Sequence, residues 1–213
     1  MSKIADIRKE YKLKSFTEAG AHPDAIQQFA AWWGEAINSS IDEVNAFTLA
    51  TASSDGKPSA RILLLKGFDE NGFVFFSNYQ SHKGKQIYEN PNAAMVIFWK
   101  ELERQIRIEG RIEKTSNVES DEYFLSRPTG SQLGAWASPQ SSVINNRGVI
   151  EDNLKKYEAQ FATTPLTRPP HWGGYRLKPN LIEFWQGRPS RLHDRLQYTL
   201  QENGKWKMER LAP

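Results

Sequence analysis

The residues best suited to chemistry in this sequence are cations beside apolar, β-favouring segments. Arg61 and Lys66 flank the run Ile62-Leu63-Leu64-Leu65. A strand buried through its middle, with a cation at each end, presents both to a ligand at a barrel rim. Lys83 and Lys85 stand at the start of a predicted helix with Ser81 as its cap. The unpaired amides of a helix N-terminus attract phosphate before any lysine adds charge. Tyr123, Arg127 and Ser131 fall together around a helix break. Arg191, His193 and Arg195 alternate, and an extended segment would put them on one face. Each signal is weak alone. A strand-end cation is usually just solvated, Tyr123 and Trp185 read more readily as core than as site, and His193 suits a structural role. Their sum favours a site for one or two phosphorylated ligands without naming a reaction.

Absent motifs narrow the field. No G-x-G-x-x-G follows a predicted strand, and there is no Walker loop or G-x-S-x-G elbow. His22, His82, His171 and His193 are scattered, so no metal is expected. Cysteine is absent, which excludes disulfides, thiolate metal sites and cysteine nucleophiles and fits a reducing cytoplasm. The formal charge of +3 suits an anionic ligand, either a phosphate ester or nucleic acid. With 38% hydrophobic and 25% charged residues, the chain reads as soluble and globular. No apolar run is long enough for a membrane helix, and residues 1–14 lack the apolar core of a secretory signal.

The elements that must position these residues follow from periodicity. Ile4 to Ser15 is polar and predicts a short helix around Ile7 and Tyr11. Pro23-Asp24 opens an amphipathic helix with Ile26, Phe29, Ala30, Trp33, Ala36 and Ile37 on one face. Strands are predicted over Asn45–Thr51, Ser59–Phe68 and Phe73–Ser77, with a hairpin turn at Asp69-Glu70-Asn71-Gly72. A short helix, Ser81–Glu89, precedes strands Ala93–Trp99 and Arg104–Lys114. Ser116 and Glu119 have capping-box spacing, and further helices are predicted at Gln132–Ala137 and Gly148–Phe161. Gly174–Leu177, Ile182–Gln186 and Leu196–Gln201 read as three strands, with Glu202-Asn203-Gly204 turning into Trp206–Leu211. Strands in consecutive hairpins with inserted helices predict an α+β fold, an antiparallel barrel with helices outside. The expected organisation is a flexible arm over residues 1–22 and a single domain over 23–213.

With these elements laid out, several segments resemble the pyridoxine (pyridoxamine) 5′-phosphate oxidase family. They are Arg61-Ile-Leu-Leu-Leu-Lys66, Arg127-Pro-Thr-Gly-Ser-Gln-Leu-Gly-Ala-Trp136, Gln140-Ser141-Ser142, Phe184-Trp-Gln-Gly187 with Arg191-Leu-His-Asp-Arg195, and the ending Glu209-Arg-Leu-Ala-Pro213. The resemblance runs from about Ile7 to the C-terminus. It implies an FMN-binding split β-barrel homodimer with FMN at the subunit interface. It also implies oxidation of pyridoxine 5′-phosphate and pyridoxamine 5′-phosphate to pyridoxal 5′-phosphate, with O2 as acceptor and H2O2 as by-product.

By position, the resemblance puts Arg61, Ile62, Leu63, Leu64, Leu65 and Lys66 along the FMN, with Arg61 and Lys83 on its phosphate. Phe76, Ser77, Gln105, Gln140, Ser141, Trp185 and Arg195 complete the flavin site. Lys66, Tyr123, Arg127 and Ser131 hold the substrate phosphate, a set of two cations and two hydroxyls suited to a dianion. Arg191, Leu192 and His193 meet the pyridine ring, and Arg191, His193 and Arg195 are the candidate catalytic residues. Lys9, Glu10 and Tyr11, with Arg8, form an arm that closes over the substrate. The family often carries an arginine just before the phosphate-binding lysine. Here that residue is His82, which implies weaker or more pH-dependent FMN binding. Three rivals are weighed: a split-barrel flavoprotein acting on another substrate, such as a phenazine precursor or one served by deazaflavin, a nucleic-acid-binding barrel, and a structural role on a degenerate flavin fold, against which the intact Arg191-Leu-His-Asp-Arg195 run speaks. The resemblance favours none of them, and implies no nucleic-acid or membrane partner.

Overall fold

The computed structural model describes residues 3–7 and 9–213. Arg8 lies outside the described residues. Among those described, the strands are β1 (Ala46–Ala52), β2 (Pro58–Leu64), β3 (Gly67–Asp69), β4 (Gly72–Asn78), β5 (Asn92–Trp99), β6 (Arg104–Lys114), β7 (Trp172–Gln186), β8 (Asp194–Leu200) and β9 (Trp206–Arg210). The helices are α1 (Ala25–Ile37), α2 (His82–Glu89), α3 (Asn117–Ser126), α4 (Thr129–Ala137) and α5 (Gly148–Phe161).

The strands pair antiparallel in the order β2-β1-β5-β6-β7-β4-β3. The far half of β7 also carries β8, and β8 carries β9. The two ends of this order, β2 and β3, are neighbours in the chain, separated by Leu65 and Lys66. Leu65 N donates to Asn45 O beside β1 at 2.8 Å, and Lys66 N donates to Val74 O in β4 at 2.9 Å. A single bent segment thus bridges both ends of the sheet and curls it into a split barrel of the α+β class. The predicted strand Ser59–Phe68 breaks at this bend.

Alternation fills the barrel. In β6, Ile106, Ile108 and Ile112 turn inward, while Gln105, Arg107 and Arg111 turn outward. Helix α1 covers this core. Asp24 caps it by accepting from Ile26 N and Gln27 N, both at 2.9 Å. Phe29 then packs edge-on against Phe68 and Phe73, with ring centres 4.7 and 4.8 Å away. Burying a phenylalanine in this way is worth roughly 1.5–3 kcal/mol. The buried stripe is rotated from the predicted one: Trp32 is buried against Phe184 and Phe16, whereas Ile37 is 55% exposed.

Two further expectations are corrected. The first stretch is a short 3-10 turn at Lys3–Asp6, and Tyr11 lies outside any helix. Phe16 is buried against Trp32 and Phe184. The two strands predicted on either side of Lys178-Pro179-Asn180 are one strand, β7, of 15 residues. Pro179 fits in mid-strand because it faces Gly110, where the β6–β7 register shifts, and a Cβ on Gly110 would collide with Lys178 O. No helix among the described residues is long and apolar enough to cross a membrane.

Candidate functional site

The first cleft, of about 680 Å³, opens between the β2 and β4 edges and helices α3 and α4. Ser116 caps α3 by accepting from Glu119 N at 3.0 Å, and the turn after α3 brings Arg127 beside Ser131. The cleft gathers Ile62, Leu63, Leu64 and Lys66 from one wall, Phe76 and Ser77 from β4, and Tyr123, Arg127, Ser131 and Gln140 from the other. Phe76 stacks on Tyr123 with ring centres 3.9 Å apart, and the two lie nearly parallel to Trp172. This stack needs Gly174, where a Cβ would sit 2.8 Å from the Phe76 ring. The Arg127 guanidinium lies 4.6 Å from the Trp172 ring centre. Its Nη1 is the one buried side-chain nitrogen or oxygen without a hydrogen-bond partner among the described residues. Burial pushes the Arg127 pKa down.

Beside this cleft, Ser81 caps α2 and turns Lys83 inward. The Lys83 ammonium donates to Ser77 Oγ, Ser81 Oγ and Gln140 Oε1, each at 3.2 Å. Burial, followed by repulsion from Arg61, pulls its pKa down to about 8. Arg61 is held by Thr51 Oγ1 at 2.7 Å, Ser59 Oγ at 2.5 Å and Leu49 O at 3.1 Å. Thr51 and Ser59 in turn both donate to Gln86 Oε1 at 2.6 Å. Among the described residues, Arg61, Lys66, Lys83 and Arg127 form no ion pair. Such a set matches an anion such as a phosphate ester, since the buried Lys83 and the half-buried Arg61 and Arg127 carry charge that no carboxylate offsets, with Lys66 exposed beside them.

A second cleft, of about 630 Å³, lies at the other end of β7. Lys9, Glu10, Tyr11, Arg188, Arg191 and His193 line it. The expectation of one extended face through residues 191–195 is corrected here. Ser190 and Arg191 are both left-handed, at φ 56° and 61°, in a tight turn, and β8 starts only at Asp194. The His193 ring packs on Trp185 at 4.5 Å and meets Tyr11 at 5.9 Å. His193 Nδ1 accepts from Arg188 N at 3.1 Å, so the neutral ring carries its proton on Nε2. Burial, then the Arg191 charge, push its pKa down, which favours that neutral form. Arg195 turns away to Glu183, with Nε to Oε1 at 2.7 Å, and to Ala212 O at 2.8 Å. Despite its burial, Glu183 has a lowered pKa because Arg195 and Arg107 bond to it.

Other predicted residues sit apart from both clefts. Leu65 is buried in the core, Leu192 is 69% exposed, and His82 is exposed at the start of α2. Lys85 faces a different groove beside Tyr88 and Lys114. Gln105 sits opposite Trp185 across the β6–β7 ladder, and Ser141 is left-handed at φ 69°. Sequence reasoning missed Thr51, Ser59 and Gln86 behind Arg61, Glu183 behind Arg195, and Trp172 in the aromatic stack. The pair Gly173-Gly174 was the available sign of close packing next to Trp172. No three acidic or histidine side chains cluster as a metal site among the described residues.

Against this geometry, residues 34–161 match the family described as pyridoxamine 5′-phosphate oxidase, and residues 172–213 match the pyridoxine 5′-phosphate oxidase C-terminal dimerisation region. A pyridoxine/pyridoxamine 5′-phosphate oxidase of Cupriavidus necator is 53% identical over the whole of both chains. Among solved structures, PhzG from Burkholderia lata, in complex with tetrahydrophenazine-1-carboxylic acid, is 31% identical with a TM-score of 0.87, covering 94% of this chain and 98% of its own. A pyridoxamine 5′-phosphate oxidase-related FMN-binding protein from Nostoc punctiforme shares the fold at a TM-score of 0.69 and 19% identity, covering 89% of this chain and 97% of its own.

Proposed function

This chain belongs to the pyridoxine/pyridoxamine 5′-phosphate oxidase family, and we propose that it is an FMN-dependent oxidoreductase. Its substrates are pyridoxine 5′-phosphate and pyridoxamine 5′-phosphate, its product is pyridoxal 5′-phosphate, and O2 is the acceptor that leaves as H2O2. The carrying observation is the set of four cations without carboxylate partners, together with the unpartnered Arg127 Nη1. These residues fit two phosphate esters, one from the cofactor and one from the substrate. The cysteine-free sequence suits action in the cytoplasm.

Bound FMN supplies a hydride acceptor. Arg61 and Lys83 hold its phosphate, with Ser77 and Gln140 already bonded into the Lys83 network. Lys66, Tyr123, Arg127 and Ser131 hold the substrate phosphate and thereby fix the distance and angle of the reacting carbon. Arg191 covers the pyridine ring. His193, neutral with Nε2–H outward, donates a hydrogen bond to the substrate and orients it. Its Nδ1 is occupied by Arg188 N–H and is not free to take a proton.

The two clefts share no lining residue. Trp172 in the first and Trp185 near the second are joined by roughly 40 Å of extended strand. The two residue sets therefore sit toward opposite ends of one strand. We place the complete site between two copies, each supplying one cleft to a shared FMN. The match to a dimerisation region over residues 172–213 supports this homodimer.

The test is an absorbance spectrum of the purified protein before and after anaerobic addition of pyridoxine 5′-phosphate. Bleaching of the flavin band and its return with air is the expected result. A flavin that bleaches with an unphosphorylated aromatic substrate, and not with pyridoxine 5′-phosphate, moves the assignment toward the PhzG-like reading. A colourless protein that takes up no FMN overturns it.

A further inference from the structure

Glu103 holds an unusual position. It is buried, lies in the left-handed region at φ 55°, and ends the short turn at Lys100–Leu102. A side chain other than glycine rarely accepts that backbone without compensation. Both of its ends are engaged. The Glu103 carbonyl accepts from Gly187 N at 2.7 Å and from Gln186 Nε2 at 3.2 Å. The carboxylate accepts from Lys12 N at 2.8 Å and Leu13 N at 3.1 Å, and its other oxygen lies 3.4 Å from Lys9 Nζ.

The segment that Glu103 grips includes Tyr11, whose ring meets Trp185 at 5.6 Å and His193 at 5.9 Å. Tyr11 also lies on Gly187 so closely that a Cβ there would come within 2.7 Å of its ring and 3.1 Å of Glu103 Cβ. Gly187 is therefore needed for close approach. Glu103 and Gly187 form one seat, and Tyr11 is pressed through it onto the wall of the His193 cleft.

We propose that Glu103 is a positioning residue for the substrate: it touches no reacting atom, and its carboxylate clamps residues 9–13 so that Tyr11 completes the His193 cleft. This inference rests on the functional reading above. A carboxylate that accepts two backbone N–H groups and faces an ammonium gives directed, charge-assisted bonds. It replaces bonds that this otherwise irregular segment cannot make to itself.

The test uses FMN-loaded Glu103→Ala and, with the carboxylate intact, Lys12→Pro, which removes one of the two clamped N–H donors. Hydrogen exchange is read on the peptide covering residues 9–15, and kcat and KM are read separately with pyridoxine 5′-phosphate. Expected are faster exchange in that peptide, a KM raised about tenfold, kcat within about twofold and unchanged flavin content. Lys12→Pro gives the same KM shift and decides the matter if Glu103→Ala does not fold. Unchanged exchange, or faster exchange with an unchanged KM, overturns the inference while an active wild-type protein leaves the functional reading standing. A wild-type protein inactive on pyridoxine 5′-phosphate overturns the reading itself.

Discussion

Around Arg127 and Lys83 the cations stand without carboxylates, whereas at the far end of β7 Arg195 is bonded to the buried Glu183 and Arg188 lies 3.5 Å from Asp194. The first cleft is built on regular supports: strand edges, a capped helix and a parallel aromatic stack. The second is built on two consecutive left-handed residues and a chain segment held by one carboxylate. The fold thus divides its labour. One end tolerates uncompensated charge, which destabilises the ligand-free state and stabilises a bound anion. The other neutralises much of its own charge and spends backbone strain on shape. On the proposed function, the first end recognises phosphate, while at the second Arg191 and His193 align the ring and Tyr11 closes the cleft around it.

The largest expected effect breaks the second end. Arg191→Ala and His193→Ala each lower kcat by about 100-fold while retaining FMN, measured by turnover per flavin. Wild-type turnover in both removes their assignment. Next, Arg127→Ala raises KM for the phosphorylated substrates about 30-fold with kcat changed far less, since one charged hydrogen-bonding group is worth about 2 kcal/mol. If kcat falls and KM does not, the division between the two ends fails.

Lys83→Met weakens FMN binding about tenfold at neutral pH. Its pH dependence sharpens the point. The Lys83 pKa is depressed from 10.5 to about 8 in the folded chain, so below about 8 the ammonium is present to meet the phosphate. FMN affinity in the wild type therefore falls as pH rises above about 8, and titration calorimetry of the variant shows a flatter profile. The stability of the FMN-free protein moves the other way. Between about 8 and 10.5 the unfolded chain binds more protons at this lysine than the folded one, so this group contributes increasing stability as pH rises through that window. The smallest effect is expected next door: His82→Gln, on the exposed face of α2, changes FMN affinity by less than about twofold between pH 6 and 8. A larger change would place His82 within the phosphate site.

Local signals explain what was legible. Ser81 and Ser116 act as caps where the sequence suggested, α1 opens at Asp24 as expected, and Gly72 and Gly204 take positive φ in their hairpin turns. Helix α5 has its predicted limits, although its apolar stripe is only half buried, beneath Trp136. What was misread depended on distant partners. Pro179 ended a strand by every local rule, and only Gly110 on the neighbouring strand makes its place possible. Ile62 looked like the middle of a buried strand yet is 65% exposed, because β2 pairs on one side only and leaves that residue facing the cleft. The cations were legible one by one. That Arg195 has a carboxylate and Arg127 has none was not, since cross-strand register and burial decide it. The left-handed turn at Ser190-Arg191 contains no glycine to announce it.

Strand β7 has a consequence for how the chain is made. It is the central member that pairs β6 along one edge and β4 along half of the other, yet it begins only at Trp172. On the ribosome, β4 and β6 emerge roughly 60–100 residues before the strand that separates them in the sheet, and their edges wait unpaired through the synthesis of α3, α4 and α5. The barrel is therefore closed late and from the C-terminal side, by the same strand that carries both binding ends. A ribosome-bound chain halted before Trp172 holds neither the barrel wall nor the His193 corner. Nascent chains of this protein thus gain their closed sheet and both binding ends together, once β7 has emerged.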